Sequence, residues 1–232
     1  SMSSHGVASL MAAREVIKKG LELAAKDLEV AAADIEFKEG KYCVKGTDKS
    51  IGIVELAKKQ SSTAGSHPMD AGGEVPHAGT FPSGVHVAEV EIDPETGVTS
   101  VLRYITMDDC GFVVNHTLLE GQMHGGIMQG AGQVFGEDCM YDRATGQLLT
   151  GSFMDYYMPR AGLIPSIEVY DHCVPSPTNM LGVKGAGEAG TTGSLPTFMN
   201  AVVDALSPLG INHLDMPITP SKMWHAIRAH SK

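Results

Sequence analysis

Glu188 is the single carboxylate of the stretch Gly182-Val183-Lys184-Gly185-Ala186-Gly187-Glu188-Ala189-Gly190. Glycines at 182, 185, 187 and 190 release the backbone for positive φ and for close approach by another group. Successive amides in such a loop, with a helix start behind them, form an anion-binding concavity, and Lys184 adds a positive charge. That combination suits a phosphate or another electron-rich ligand. Small neighbours, Gly187 and Ala189, leave the Glu188 carboxylate accessible to whatever the loop holds. Enclosure in a pocket would suit it to general-base work. The plainer alternative is a surface turn, since glycine-rich loops with one Glu are common and spacing of this kind is weak by itself. A dinucleotide-type loop is disfavoured, because Pro175 and Pro177 stand where a buried strand would have to run into Gly182.

A second glycine cluster follows Asn115, in GQMHGGIMQGAGQVFGED. Met123, Ile127, Met128, Val134 and Phe135 keep helical spacing through it. Glycine inside a helix costs about 1 kcal/mol relative to alanine, so the glycines between Gly121 and Gly132 need a reason. Composition leaves two open: close packing against another element, or backbone exposed to a ligand.

Residues 7–33 carry apolar residues at helical spacing and predict two helices, broken near Gly20 or Asp27. Alternation on either side of Glu39-Gly40 predicts a short hairpin, and a further helix is expected over 52–59. Residues 61–80, rich in Ser, Gly, Pro and His, read as a linker. A long hairpin is carried by Val85, Val87, Val90 and Ile92, the turn Asp93-Pro94-Glu95-Thr96-Gly97, then Val98, Val101, Leu102, Tyr104 and Ile105. Its second strand ends at Asp108-Asp109-Cys110-Gly111. Short strands and turns fill 139–173. A helix is predicted to begin near Pro196 and a last one near Thr219-Pro220-Ser221. The organisation is a helical and hairpin part over 1–60, a linker over 61–80 and a C-terminal part over 81–232.

Bulk properties narrow the class. The 232 residues are 43% hydrophobic with a formal charge of −10. No block of Lys or Arg offers the basic footprint that nucleic acid requires, and no apolar run approaches the roughly 18 residues of a membrane span. The first ten residues lack the pattern of a secretory signal, so a soluble cytoplasmic protein is expected. Cys43, Cys110, Cys139 and Cys173 form no C-x-x-C pair, and no H-E-x-x-H is present, so a metal or cluster ligated by this chain is not indicated.

Several long segments, in fixed order, resemble one family. GVKGAGEAGTTGSLPTFMNAVVDAL and DMPITPSKMWHAI are similar to the C-terminal signature of molybdenum hydroxylase large subunits, the xanthine dehydrogenase, aldehyde oxidase and carbon monoxide dehydrogenase type. VHVAEVEIDPETG, VLRYITMDDCG, VNHTLLEGQMHGGIMQGAGQ and GSFMDYYMPRA resemble the segments that precede it. The likeness runs from about residue 7 to the C-terminus and is to the bacterial members that use molybdopterin cytosine dinucleotide.

The resemblance implies an α+β fold, with helices packed on mixed sheets in two subdomains of the molybdenum cofactor-binding domain. It places the family's catalytic glutamate on Glu188, the base that activates a molybdenum hydroxyl for attack on an electron-poor carbon. It places a pterin-binding glutamine on Gln122, with Gln129, Lys184, Gly185 and Gly187 lining the same cofactor pocket. The molybdenum is held by the pterin, not by protein ligands. Iron–sulfur clusters and FAD are expected on partner subunits, and the N-terminal part of the large subunit is a further partner. Phe112 and His116 depart from the Arg and Pro often found there, and local changes are expected beside the turn that carries them. The implied activity is oxidative hydroxylation of a heterocycle or aldehyde, or oxidation of CO, with water as oxygen source and the isolated chain inactive. The alternative is a non-catalytic interaction or assembly module, or a truncated relic of the family.

Overall fold

A computed structural model describes residues 2–62, 65–75 and 78–230. The chain forms two compact units, residues 1–78 and 79–232.

In the first unit, α1 (Val7–Leu28) is one continuous helix rather than two. Gly20 does not break it. Gly20 faces the Tyr42 ring, whose Cζ lies 2.5 Å from where a Cβ would stand, so the glycine makes room for the aromatic inside the helix. The expected hairpin pairs β1 (Ile35–Lys38) with β2 (Lys41–Val44). Its two-residue turn has positive φ at both Glu39 and Gly40, the backbone sign that matches strand twist. β3 (Ser50–Gly52) adds an antiparallel third strand, and α2 (Ile53–Lys59) follows directly. Tyr42, Leu56 and Ala24 are buried at the centre. Met69, in the stretch read as linker, is buried in this core as well.

The second unit is built on a mixed three-stranded sheet. β4 (Ser83–Ile92) and β5 (Thr99–Asp109) are antiparallel, and β6 (Ile167–Asp171) pairs parallel to β5 on its other side. Asp93 closes the β4–β5 turn, accepting from the Glu95 amide and the Thr96 hydroxyl. α3 (His116–Phe135) starts at Asn115, whose side chain accepts from the Leu118 amide. The fold at the departing positions Phe112 and His116 is intact, with Phe112 donating its amide to the Gly182 carbonyl and His116 opening α3.

α4 (Ala189–Leu206) begins well before Pro196, which lies inside it. Packing overrides the local signal here: Gly190 and Ser194, both ahead of the proline, are buried against α3. α5 (Pro220–His230) starts as the sequence suggested. One face of the sheet packs on α3 and α4 through Tyr104, Phe198, Ile127 and Val202, all fully buried. The whole is an α+β arrangement in which only the second sheet is mixed.

One irregularity decides which side chains of β5 face inward. Glu89 pairs with Arg103 while Val90 pairs with Val101, so Leu102 is the extra residue of a β-bulge. Beyond it the buried set passes from Val101 to Tyr104, Thr106 and Asp108. Without the extra residue, strict alternation from Val101 would turn Arg103, Ile105 and Met107 toward the helices instead.

Candidate active site at the start of helix α4

The 182–188 loop is fastened to the end of β5. Phe112 donates to the Gly182 carbonyl, and Lys184 donates its amide to the Cys110 carbonyl. Gly182, with φ of 65°, makes the turn that allows this. The Lys184 ammonium pairs with the Asp109 carboxylate, both side chains nearly buried. Asp109 also accepts from the amides of Val174 and Gly111. Burial works against its charge, but Lys184 and the two amides outweigh that and hold its pKa below the usual carboxylate value. The positive charge expected to serve a ligand is therefore committed within the protein.

From this anchor the chain runs through Gly185, Ala186 and Gly187 to Glu188, the residue that precedes α4. Glu188 is exposed and its carboxylate has no hydrogen-bond or ion-pair partner among the described residues. It is not enclosed, as general-base work would favour. It lies at the rim of a cleft of about 560 Å³ whose walls include Gly185, Gly187 and Thr192 on one side and Ser83, His86 and Asp108 on the other.

The four loop glycines serve different ends. Among them only Gly182 has positive φ. Gly190 admits close contact between helices, since a Cβ there would come within 2.7 Å of the Met123 carbonyl oxygen. Gly185 has nothing within 4 Å of that position, and Gly187 has only the Gln122 amide oxygen, at 3.7 Å.

The glycines of α3 divide in the same way: some are closely packed against another element, and others leave the backbone open. Gly126 and Gly130 are pressed on Gly190, Thr191 and Ser194 of α4, and the Thr191 hydroxyl donates to the Gly126 carbonyl. Gly121 and Gly125 have nothing within 4 Å. With Gln122 and Gln129 they fall within one stripe of the helix. Both glutamines are exposed, and neither amide has a partner among the described residues. Of the residues named from sequence, Gln122, Gly187 and Glu188 are thus brought together. Gly185 lies in the same loop, Gln129 stands farther along the open stripe, and Lys184 points its charge elsewhere.

Sequence reasoning missed His86. Its side chain is 4% exposed and lines the cleft. Nδ1 lies 2.7 Å from the Tyr104 hydroxyl and Nε2 lies 3.3 Å from an Asp108 oxygen, while the other Asp108 oxygen accepts from the Thr106 hydroxyl. Burial, with the nearby Asp108 carboxylate adding to it, pushes the Tyr104 phenol pKa up. The available signal was register: His86 alternates with Ala88, Val90 and Ile92, a polar residue on an otherwise inward apolar face.

Residues 1–165 match the molybdopterin cofactor-binding domain family. The chain belongs to that family. This molybdopterin-binding chain is 37% identical to the carbon monoxide dehydrogenase large chain of Hydrogenophaga pseudoflava, an alignment covering 97% of this chain and 29% of that one. Its structure matches reconstituted CO dehydrogenase from Oligotropha carboxidovorans with a TM-score of 0.81 and 33% identity, over 97% of this chain and 29% of that one. It matches quinoline 2-oxidoreductase from Pseudomonas putida 86 with a TM-score of 0.76 and 31% identity, over 92% and 28% of the two chains. The chain spans about 29% of the length of the curated large chain it matches, and so corresponds to a portion of a molybdenum hydroxylase-type large subunit.

The residues present fit a molybdopterin group. Bare backbone at Gly121, Gly125 and Gly185 admits a bulky ligand, and neither the backbone amides of Gly187 and Glu188 nor the side-chain amides of Gln122 and Gln129 have a partner among the described residues. Among the described residues no three His, Cys, Asp or Glu side chains converge as a metal-holding group.

Proposed function

We propose that this chain contributes the catalytic base and part of the cofactor seat to a molybdenum hydroxylase, and that Glu188 is that base. One observation carries the reading: in a chain of the molybdopterin-binding family, the Glu188 carboxylate stands without a partner at the cleft rim, directly after a glycine that faces Gln122. When bound, the molybdopterin group, in its cytosine dinucleotide form, supplies the two-electron oxidising centre for hydroxylation with oxygen drawn from water. Gln122 and the Gly187 and Glu188 amides hydrogen-bond the group, Gln129 extends the contact along α3, and Gly185 admits its bulk. Lys184 acts through Asp109, holding the loop still. The Glu188 carboxylate takes up the proton that water gives up as its oxygen is transferred.

The substrate is a heterocycle, an aldehyde or carbon monoxide. Electrons leave through iron–sulfur and FAD subunits, and the remainder of the large subunit closes the pocket over Glu188. The enzyme works in the cytoplasm; among the described residues no helix is long and apolar enough to cross a membrane.

Glu188→Gln in the assembled enzyme lowers turnover by about 100- to 10,000-fold, the usual worth of a positioned base, while molybdenum and pterin content stay at parent levels. Near-parental turnover overturns the assignment.

A second reading, an assembly module without activity of its own, is favoured by one feature. Phe153 and Met154 are 84% and 93% exposed, apolar surface of the kind that a further polypeptide covers. On either reading the chain alone has no hydroxylase activity.

A further inference from the structure

His86 is a buried polar side chain at the cleft that the reading above leaves without a task. Two glycines make its place. Gly193, in α4, would put a Cβ within 2.6 Å of the His86 ring nitrogens, so the ring occupies the space a side chain on the helix would fill. Gly84, paired with Asp108 across β4 and β5, likewise leaves room for the Asp108 carboxylate. A carboxylate only accepts, so His86 Nε2 is the donor to Asp108, and in the neutral ring Nδ1 accepts from the Tyr104 hydroxyl. Held at both nitrogens, the ring has one orientation.

Gly193 lies one turn beyond Ala189, and the Thr192 amide closes the first turn on the Glu188 carbonyl at 2.9 Å. On the neighbouring face of that turn, Gly190 rests on the α3 backbone. The beginning of α4 therefore rests on two supports, the α3 backbone and the His86 ring. We propose that His86 is a positioning residue: fixed by Tyr104 and Asp108, its ring sets the height of the first turns of α4 above the sheet, and through them the placement of Glu188. The proposal rests on Glu188 being the catalytic carboxylate. The β5 bulge belongs to the same device, because it turns Tyr104 and Asp108 inward to meet the ring.

The test compares His86→Leu, which fills the space without hydrogen bonds, with His86→Gln, which restores a donor toward Asp108. In amide exchange on this chain, H86L is expected to speed exchange at Thr192 by about five- to tenfold relative to Val202 in the same helix, the effect of one or two lost hydrogen bonds. H86Q is expected to recover most of the protection. In the assembled enzyme H86L lowers kcat by about ten- to a hundredfold with KM little changed, the cost of a displaced reacting group. Equal loss of protection at Thr192 and Val202, or no recovery by H86Q, overturns the positioning role. Faster exchange with parental kcat overturns its link to Glu188. If H86L does not fold, Gly193→Ala, which presses on the ring from the helix side, takes its place under the same criteria. Exchange needs no turnover, so an active E188Q enzyme would remove the catalytic assignment while leaving the exchange result to stand or fall separately.

Discussion

Lys184 and Asp109 lie 75 positions apart in the chain and meet with both side chains nearly out of water. Removing one partner of such a pair strands the other, so Asp109→Asn is expected to destabilise the chain by about 3 kcal/mol, read by urea unfolding at neutral pH. The pH dependence follows from sign. The Asp109 pKa is lower in the fold than in the unfolded chain, so its contribution is complete above about pH 4 and is lost as pH falls through the depressed value. The gap between parent and D109N should therefore close on acidification, and a gap that stays constant below pH 4 would contradict the account. At this scale the sequence showed which residues carry chemistry but not which charges are spoken for. Lys184 read as available because its partner sits at the end of a distant strand. His86 drew no notice because the bulge that turns Tyr104 and Asp108 toward it is one residue, Leu102, with no local signature.

Helices α3 and α4 between them carry glycines of two kinds, and substitution distinguishes them. At Gly121 and Gly125 an added methyl meets nothing within 4 Å. Alanine there is expected to stabilise the chain by about 1 kcal/mol per site through helix propensity, while lowering cofactor retention in the assembled enzyme by covering the backbone the ligand approaches. At Gly190 the methyl meets three backbone atoms within 3.2 Å, none able to yield. Gly190→Ala is expected to cost about 1–3 kcal/mol by forcing α3 and α4 apart. Thermal unfolding of the three variants checks the contrast, and a destabilised G121A or G125A would count against the open stripe. Element type was largely legible, since hydrophobic period and turn chemistry marked both hairpins and most helices. The errors share one cause. Gly20 and Pro196 are local helix breakers, yet each lies inside a helix because an aromatic ring or a neighbouring helix packs there.

At the scale of the molecule, the chain corresponds to about 29% of the large chains it matches. What this chain offers a ligand is an open stripe on α3, a fastened loop and a carboxylate at the cleft rim. The expectation is that molybdenum, and CMP released on hydrolysis, are found only after co-expression with the rest of the large subunit. Metal and nucleotide analysis of the purified chain, alone and co-expressed, measures this directly. Stoichiometric molybdenum on the chain alone would show the seat to be complete, and absence in both would favour an assembly module.

The parallel pairing of β6 with β5 also governs the order in which the molecule is made. In the first unit the strands follow one another through short turns, so that sheet closes on local contacts as soon as residue 52 is available. β5 has no such neighbour on its far side. Its second partner begins at Ile167, beyond the whole of α3. During synthesis from the N-terminus, the β4–β5 ribbon therefore waits with its β5 edge unpaired. The nascent chain is open to edge-to-edge association along β5 in that interval, and that edge is closed only when Ile167–Asp171 arrives to take the place.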